Sequence, residues 1–220
     1  MNLHDETVTP RLIEILNDLM VNPLFNPFRL VGGTSLSLRL GHRRSVDIDL
    51  FTDAPYGSLD FDAFESFFRN KYPYYDCADL TNIVSFGRSY YLGNSETDCV
   101  KVDLYYHEEM IDPCEILEGI RMASLEDITA MKIDVVWRGG RKKDFWDLHE
   151  LLNRYSIDDM LEFHKVRYEY THDREQILTG FVDFTAADEE MDPICLKGKI
   201  WELIKLDIVT ELEGLQFFRP

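Results

Sequence analysis

Nowhere does the 220-residue chain carry the run of 18 or more apolar residues that a membrane span needs. Its first ten residues, MNLHDETVTP, have neither a basic stretch nor an apolar one, so no secretory signal is expected. Four cysteines, at 77, 99, 114 and 195, form no C-x-x-C pair and have no histidine pair nearby. That spacing argues against a zinc site and gives no sign of a disulfide framework. Internal repeats and low-complexity tracts are lacking too. A cytoplasmic protein with reduced thiols is the expectation.

Positive charge is also scarce. Lys and Arg number 23 against 41 Asp and Glu, a formal net charge of −18. Nucleic-acid affinity is dominated by phosphate neutralisation, so a broad duplex-DNA surface is excluded. The few cations are nonetheless clustered: Arg39, Arg43 and Arg44 fall together, and Arg138, Arg141, Lys142 and Lys143 follow a hundred residues later. If the two groups meet in the fold, an acidic protein would carry one basic pocket, suited to a phosphate-bearing small molecule. What the chain has in abundance is core material. Apolar residues make up 45%, with 14 Phe, 11 Tyr and 3 Trp, which excludes a disordered chain.

Periodicity organises the rest. Residues 10–21, PRLIEILNDLMV, space Leu12, Ile13, Leu16, Leu19 and Met20 as a helix does, with Pro10 near its first turn. FRLVGG reads as a short strand stopped at Gly32-Gly33, and Thr34 is placed to cap a short helix ending at Gly41. SVDIDLF is a strand by alternation, with Val46, Ile48 and Leu50 on one face and Asp47 and Asp49 on the other. Residues 60–70 suit a helix that buries Phe61, Phe64, Phe67 and Phe68. NIVSFGRSYYL (82–92) and CVKVDLYY (99–106) form a hairpin through GNSET, the second strand placing Lys101 and Asp103 on one face. From Ser124 the pattern is helical: 124–137, a second helix from about 144, then 157–167, 173–182 and 193–213. The expected fold is α/β (α+β), a mixed sheet with flanking helices over residues 1–120 and a helical part over 121–220.

One stretch carries the chemistry. In VGGTSLSLRLGHRRSVDIDLF (31–51) a glycine turn precedes two carboxylates at i and i+2 on a strand. They point the same way, repel each other and lose hydration unless a cation lies between them. The cation is either a basic side chain such as Arg43 or a hard ion such as Mg2+ (or Mn2+), which prefers oxygen ligands. Asp103 on a neighbouring strand could complete a two-metal clamp for displacement at phosphorus. The backbone N–H groups of the glycine turn would lie close to phosphate oxygens at a helix start.

This order resembles the nucleotidyltransferase fold shared by DNA polymerase β and many small transferases. GGTSLSLRLGHRRSVDIDLF and LEDITAMKIDVVWRGGRKKDFWDLHELL are similar, more closely, to two blocks of the AbiEii/AbiGii-type nucleotidyltransferase toxins of bacterial toxin–antitoxin systems. The resemblance implies metal at Asp47, Asp49 and Asp103, and an NTP co-substrate at Gly32, Gly33, Thr34, Arg43, Ser45 and Lys132. It implies catalytic roles for Asp49, Asp103, Lys132, Asp144 and Asp147. Implied partners are an acceptor, either an RNA 3′ end such as that of tRNA or a protein, and an antitoxin.

Several residues keep two readings. Asp103 is either a metal ligand or simply the partner of Lys101, and Arg43 either binds phosphate or neutralises Asp47 and Asp49. Between Asp144 and Asp147, which share a helix face, Asp147 is the expected functional residue and Asp144 the cap. His42 is expected as a hydrogen-bonding scaffold residue. The rival to an enzyme is a catalytically silent nucleotide- or partner-binding protein on the same fold; a metal-dependent nuclease is a third reading.

Overall fold

Thr9 accepts a hydrogen bond from the backbone N–H of Leu12 and Pro10 fills the first turn, which fixes the start of α1 (Pro10–Val21). In a computed structural model describing residues 2–77 and 86–215, the chain continues through β1 (Arg29–Leu30), α2 (Gly32–Leu40), β2 (Asp47–Thr52) and α3 (Phe61–Lys71). Strands β3 (Tyr74–Cys77), β4 (Gly87–Ser95), β5 (Asp98–Tyr106), β6 (Glu115–Leu117) and β7 (Ile120–Met122) follow. Helices complete it: α4 (Leu125–Trp137), α5 (Lys142–Leu151), α6 (Ile157–Arg167), α7 (Arg174–Gly180), α8 (Thr185–Asp188) and α9 (Trp201–Gly214).

The seven strands form one mixed sheet in the order β3-β4-β5-β2-β1-β7-β6. At its centre β2 runs parallel to β5, which sets Asp47 beside Lys101 and Asp49 beside Asp103. Alternation sends the neighbours of these residues to the other face. There Ile48, Leu50, Val102 and Leu104 are fully buried in a core shared with Leu12 and Leu16 of α1 and Phe64 and Phe68 of α3. A second apolar cluster joins α2 to α4–α9 through Leu36, Ile133, Phe145, Trp146 and Trp201. The charged face of β2 and β5 therefore looks away from the first core, toward α2, α4 and α5, and one cleft between them is lined by all of these elements.

Four expectations need correction. The helix after β1 begins at Gly32, not after Thr34, with Val31 at its N-cap. Val46 precedes its strand and is exposed. The expected helix over 193–213 starts only at Trp201. Its front half runs as an extended segment: Cys195 bridges Arg43, Leu196 N–H donates to the His42 carbonyl, and Gly198 takes φ +66°. Backbone bonds to the 42–44 loop outweigh the helical spacing of the apolar residues there. Strand β3, the β6–β7 hairpin and α8 lie where no element was expected, and residues 82–85 of the expected strand fall outside the described residues.

Candidate active site

Two walls of opposite charge face each other across a cleft of about 270 Å³. The acidic wall is the sheet: Asp47 and Asp49 from β2 and Asp103 from β5. Burial together with the charges of Asp103 and Asp47 pushes the Asp49 carboxyl up to about 6 from an ordinary 3.8; Lys132 and Lys101 oppose this. Lys101 Nζ donates to Asp103 Oδ2 at 2.7 Å, and Asp103 Oδ1 is buried with no hydrogen-bond partner. Gly32 is needed where it stands. Its φ is +67°, and a Cβ there would run into Asp49 Oδ2. A Cβ on Gly33 would likewise meet the guanidinium of Arg43.

The cationic wall comes from α4, the start of α5 and the loop after α2. Lys132 on α4 is buried, and its ammonium lies 2.7 Å from Asp144 Oδ1 and 2.8 Å from Asp147 Oδ2. Arg43 grips Asp147 side-on with one edge of its guanidinium, Nε to Oδ1 at 2.6 Å and Nη2 to Oδ2 at 2.7 Å. His42 adds a third bond to Asp147 Oδ1 at 2.7 Å; the acceptor is a carboxylate, so Nε2 carries the proton. Burial alone would raise the Asp147 carboxyl, but Arg43, Lys132 and the His42 bond hold it well below the usual carboxylate range. Burial works against charge on Lys132 as well, and Asp147 and Asp144 outweigh it, so its ammonium stays fully charged.

The cleft gathers Gly32, Gly33, Arg43, Ser45, Asp47, Asp49, Asp103, Lys132 and Asp144, and with them Arg141, Lys143 and Lys101. The two basic clusters thus meet, although Arg39 instead binds Glu115 and the Ala123 carbonyl, and Arg138 binds Asp134. Two expected residues stand back from the cleft. Thr34 is fully buried as the third residue of α2, and its hydroxyl bonds Ser45 Oγ and the Asp47 carbonyl. It pins the start of β2 and does not cap the helix. Asp147 is fully buried behind Lys132 and Arg43, orienting both. Asp144, expected as a cap by its spacing and as a site residue by the resemblance, caps α5 and lines the cleft: Oδ2 accepts from the Arg141 backbone N–H at 3.2 Å while Oδ1 holds the pocket lysine. Arg43 does not bond the carboxylates of β2, because Asp147 takes its Nε and Nη2.

The chain as a whole is similar to known proteins. A family model described as the nucleotidyl transferase AbiEii toxin of type IV toxin–antitoxin systems matches residues 14–213. The chain belongs to this family. A relative from Aquifex aeolicus (strain VF5), the uncharacterized protein aq_aa25, is 29% identical over 186 residues, covering 81% of this chain and 84% of that protein. A Helicobacter pylori protein assigned as a nucleotidyltransferase superposes with a TM-score of 0.55 at 18% identity, over 97% of this chain and 96% of that one. MenT4, a nucleotidyltransferase toxin from Mycobacterium tuberculosis H37Rv, gives a TM-score of 0.53 at 13% identity, over 94% and 86% of the two chains. At such identities these structures establish the fold alone, the nucleotidyltransferase architecture; membership of the AbiEii family makes the chain a transferase of that class.

Whether the acidic wall of this AbiEii chain suits a divalent ion can be judged from its own atoms. The donors are all carboxylate oxygens, one of them is buried without a partner, and Asp49 is held at a raised pKa by its acidic neighbours. That chemistry fits a hard cation. The set is not gathered in advance, however. Among the described residues no three His, Cys, Asp or Glu side chains stand together ready to hold an ion, and the ammonium of Lys101 lies against Asp103 instead. The sequence signal for Lys101 was its i, i+2 spacing from Asp103. Lys143 and Arg141, also at the cleft, were visible only as part of a basic cluster. Among the described residues no helix is long and apolar enough to cross a membrane.

Proposed function

We propose that this AbiEii-family transferase moves a nucleoside monophosphate from an NTP to an acceptor hydroxyl and releases pyrophosphate, with Mg2+ or Mn2+ held by Asp47, Asp49 and Asp103. One observation carries the reading: a single cleft whose acidic wall needs a cation and whose opposite wall presents buried cations to an anion. A metal-bound triphosphate answers both needs at once. When bound, the ion would lower the pKa of the attacking hydroxyl and offset charge building at phosphorus. Lys132 and Arg43, fixed by Asp144 and Asp147, meet the phosphates without reorganising, and pre-set charge of this kind stabilises a transition state most. Gly32 and Gly33 keep the α2 N-terminus free of side chains, so its N–H groups and partial positive charge face the same phosphates.

The acceptor is read as an RNA 3′ end such as that of tRNA, with a protein hydroxyl as the other arm of the test, and an antitoxin is the expected cellular partner. Incubating the protein with each labelled NTP, Mg2+ and total cellular RNA should transfer label to RNA or protein, and Asp49→Asn should abolish transfer. Absence of transfer with every NTP and both acceptor classes would refute the proposal. The Lys101–Asp103 ion pair is the one feature that favours a catalytically silent nucleotide-binding protein. That alternative predicts calorimetric NTP binding, unchanged by Asp49→Asn, with no label transferred.

A further inference from the structure

We infer that Lys101 is an internal counter-ion of the acidic wall, one that a divalent ion must displace from Asp103 in order to bind. The inference rests on the metal reading above and adds to it a named competitor. It begins with register: the parallel pairing of β2 and β5 sets Asp47 beside Lys101 and Asp49 beside Asp103, so three acids and one base share one patch of the sheet. The ammonium lies 2.7 Å from Asp103 Oδ2. Of the other basic groups of the cleft, Arg43, Lys132 and Arg141 are committed elsewhere, and Lys143 feels the charge of Asp47 without making an ion pair with it. Arg43 spends Nε and Nη2 on Asp147 and Nη1 on the Arg44 carbonyl. Lys132 lies between Asp144 and Asp147, and Arg141 leans on Asp144. Among the described residues, Lys101 alone makes an ion pair with this carboxylate trio.

The same ammonium is displaceable. Its side chain is 34% exposed, against 8% for Lys132, so a four-carbon arm can swing into water without stranding a buried charge. One ammonium against three carboxylates also leaves the patch short of positive charge. Asp103 Oδ1 remains unpartnered in the wall. A divalent ion brings twice the charge and accepts several oxygens, so it outcompetes the ammonium but is weakened by having to evict it. Lys101 therefore sets metal affinity without touching the reaction itself, and it partly offsets the charge of the wall in metal-free protein.

The test is Mn2+ binding without nucleotide, by titration calorimetry and by loss of the free-ion paramagnetic resonance signal, on wild type, Lys101→Met, Lys101→Arg and Asp49→Asn. Lys101→Met should bind Mn2+ about five- to tenfold more tightly, the factor that corresponds to losing a competing half-buried ion pair. Lys101→Arg keeps the charge and should stay within about twofold of wild type. Thermal melts provide a second readout: Mn2+ should raise the melting temperature of Lys101→Met more than that of wild type. Equal affinity in wild type and Lys101→Met, or weaker binding in Lys101→Met, overturns the inference and leaves the metal site standing. No Mn2+ binding by wild type or Lys101→Met overturns the metal reading itself, and the inference with it.

Discussion

Replacing Asp49 by Asn should stabilise the protein in the absence of metal, and only above acidic pH. The carboxyl titrates near 6 in the folded state against 3.8 ordinarily, because it is buried and flanked by Asp103 and Asp47. Between those two values the folded state binds a proton that the unfolded state has already lost. Stability therefore falls as pH rises through this window and reaches its full deficit above about pH 6. A shift of this size corresponds to about 3 kcal/mol at neutral pH. The residue is partly exposed at the wall of an open cleft, and solvent access there screens the repulsion, so about 1–2 kcal/mol is the expected gain. For a chain of this length that is roughly 3–6 °C in melting temperature. Melts of wild type and Asp49→Asn in chelator at pH 4 and pH 7.5 provide the assay. The gain should be present at pH 7.5 and nearly gone at pH 4. A variant that is less stable at pH 7.5, or equally favoured at both pH values, would show that Asp49 is not a strained carboxylate.

Asp147→Asn leaves the buried Arg43 and Lys132 short of their shared anion and should cost about 3 kcal/mol or more, a fall of roughly 6–12 °C in a thermal melt. Transfer activity should fall with it even at temperatures where the variant is folded, since both cations lose their orientation. Thr34→Val removes a buried hydroxyl bonded to Ser45 and the Asp47 carbonyl and should cost about 1–3 kcal/mol in denaturant titrations, whereas Thr34→Ser should recover most of it. If RNA is the acceptor, the plot of log binding constant against log salt concentration should have a slope of about −2 or shallower. Few cleft cations are uncommitted to buried carboxylates, and a steep slope would point to a basic surface elsewhere.

The D-x-D strand was legible in sequence because side-chain alternation is local: Ile48 and Leu50 alternate with Asp47 and Asp49 whatever the strand pairs with. Its partner was less so. Asp103 lies beside Asp49 only because β5 pairs parallel with β2 after α3, β3 and β4 have intervened, and no local pattern sets that register. The i, i+3 spacing of Asp144 and Asp147 correctly put both on one face of α5. It could not say which end of that face meets the cleft, and the rotation of the helix against α4 places Asp147 behind and Asp144 at the wall. Residues 193–200 misled for a different reason. Their apolar spacing is compatible with a helix, yet their backbone groups are taken by the 42–44 loop, and Gly198 adopts a conformation a helix does not use.

That segment matters for the site more than its sequence suggests. Arg43 and His42 sit in a loop after the Gly41 helix end, and a loop alone would not hold a guanidinium within hydrogen-bond distance of a buried carboxylate. Two restraints do so here. The Cys195 bridge, flanked by the Ile194 carbonyl accepting from Arg44 N–H and Leu196 N–H donating to the His42 carbonyl, fixes the loop backbone from one side. Asp147 fixes the side chains from the other. The β2 wall is pinned independently, by Thr34 on the Asp47 carbonyl. Two motif blocks a hundred residues apart are thereby locked into one cleft by contacts that lie behind it. The cations at its surface hold their charge and position at the expense of Asp147, a buried carboxylate that no ligand needs to reach. In a chain of net charge −18, this arrangement gives one small region the opposite sign, and it does so with partners that phosphate cannot displace.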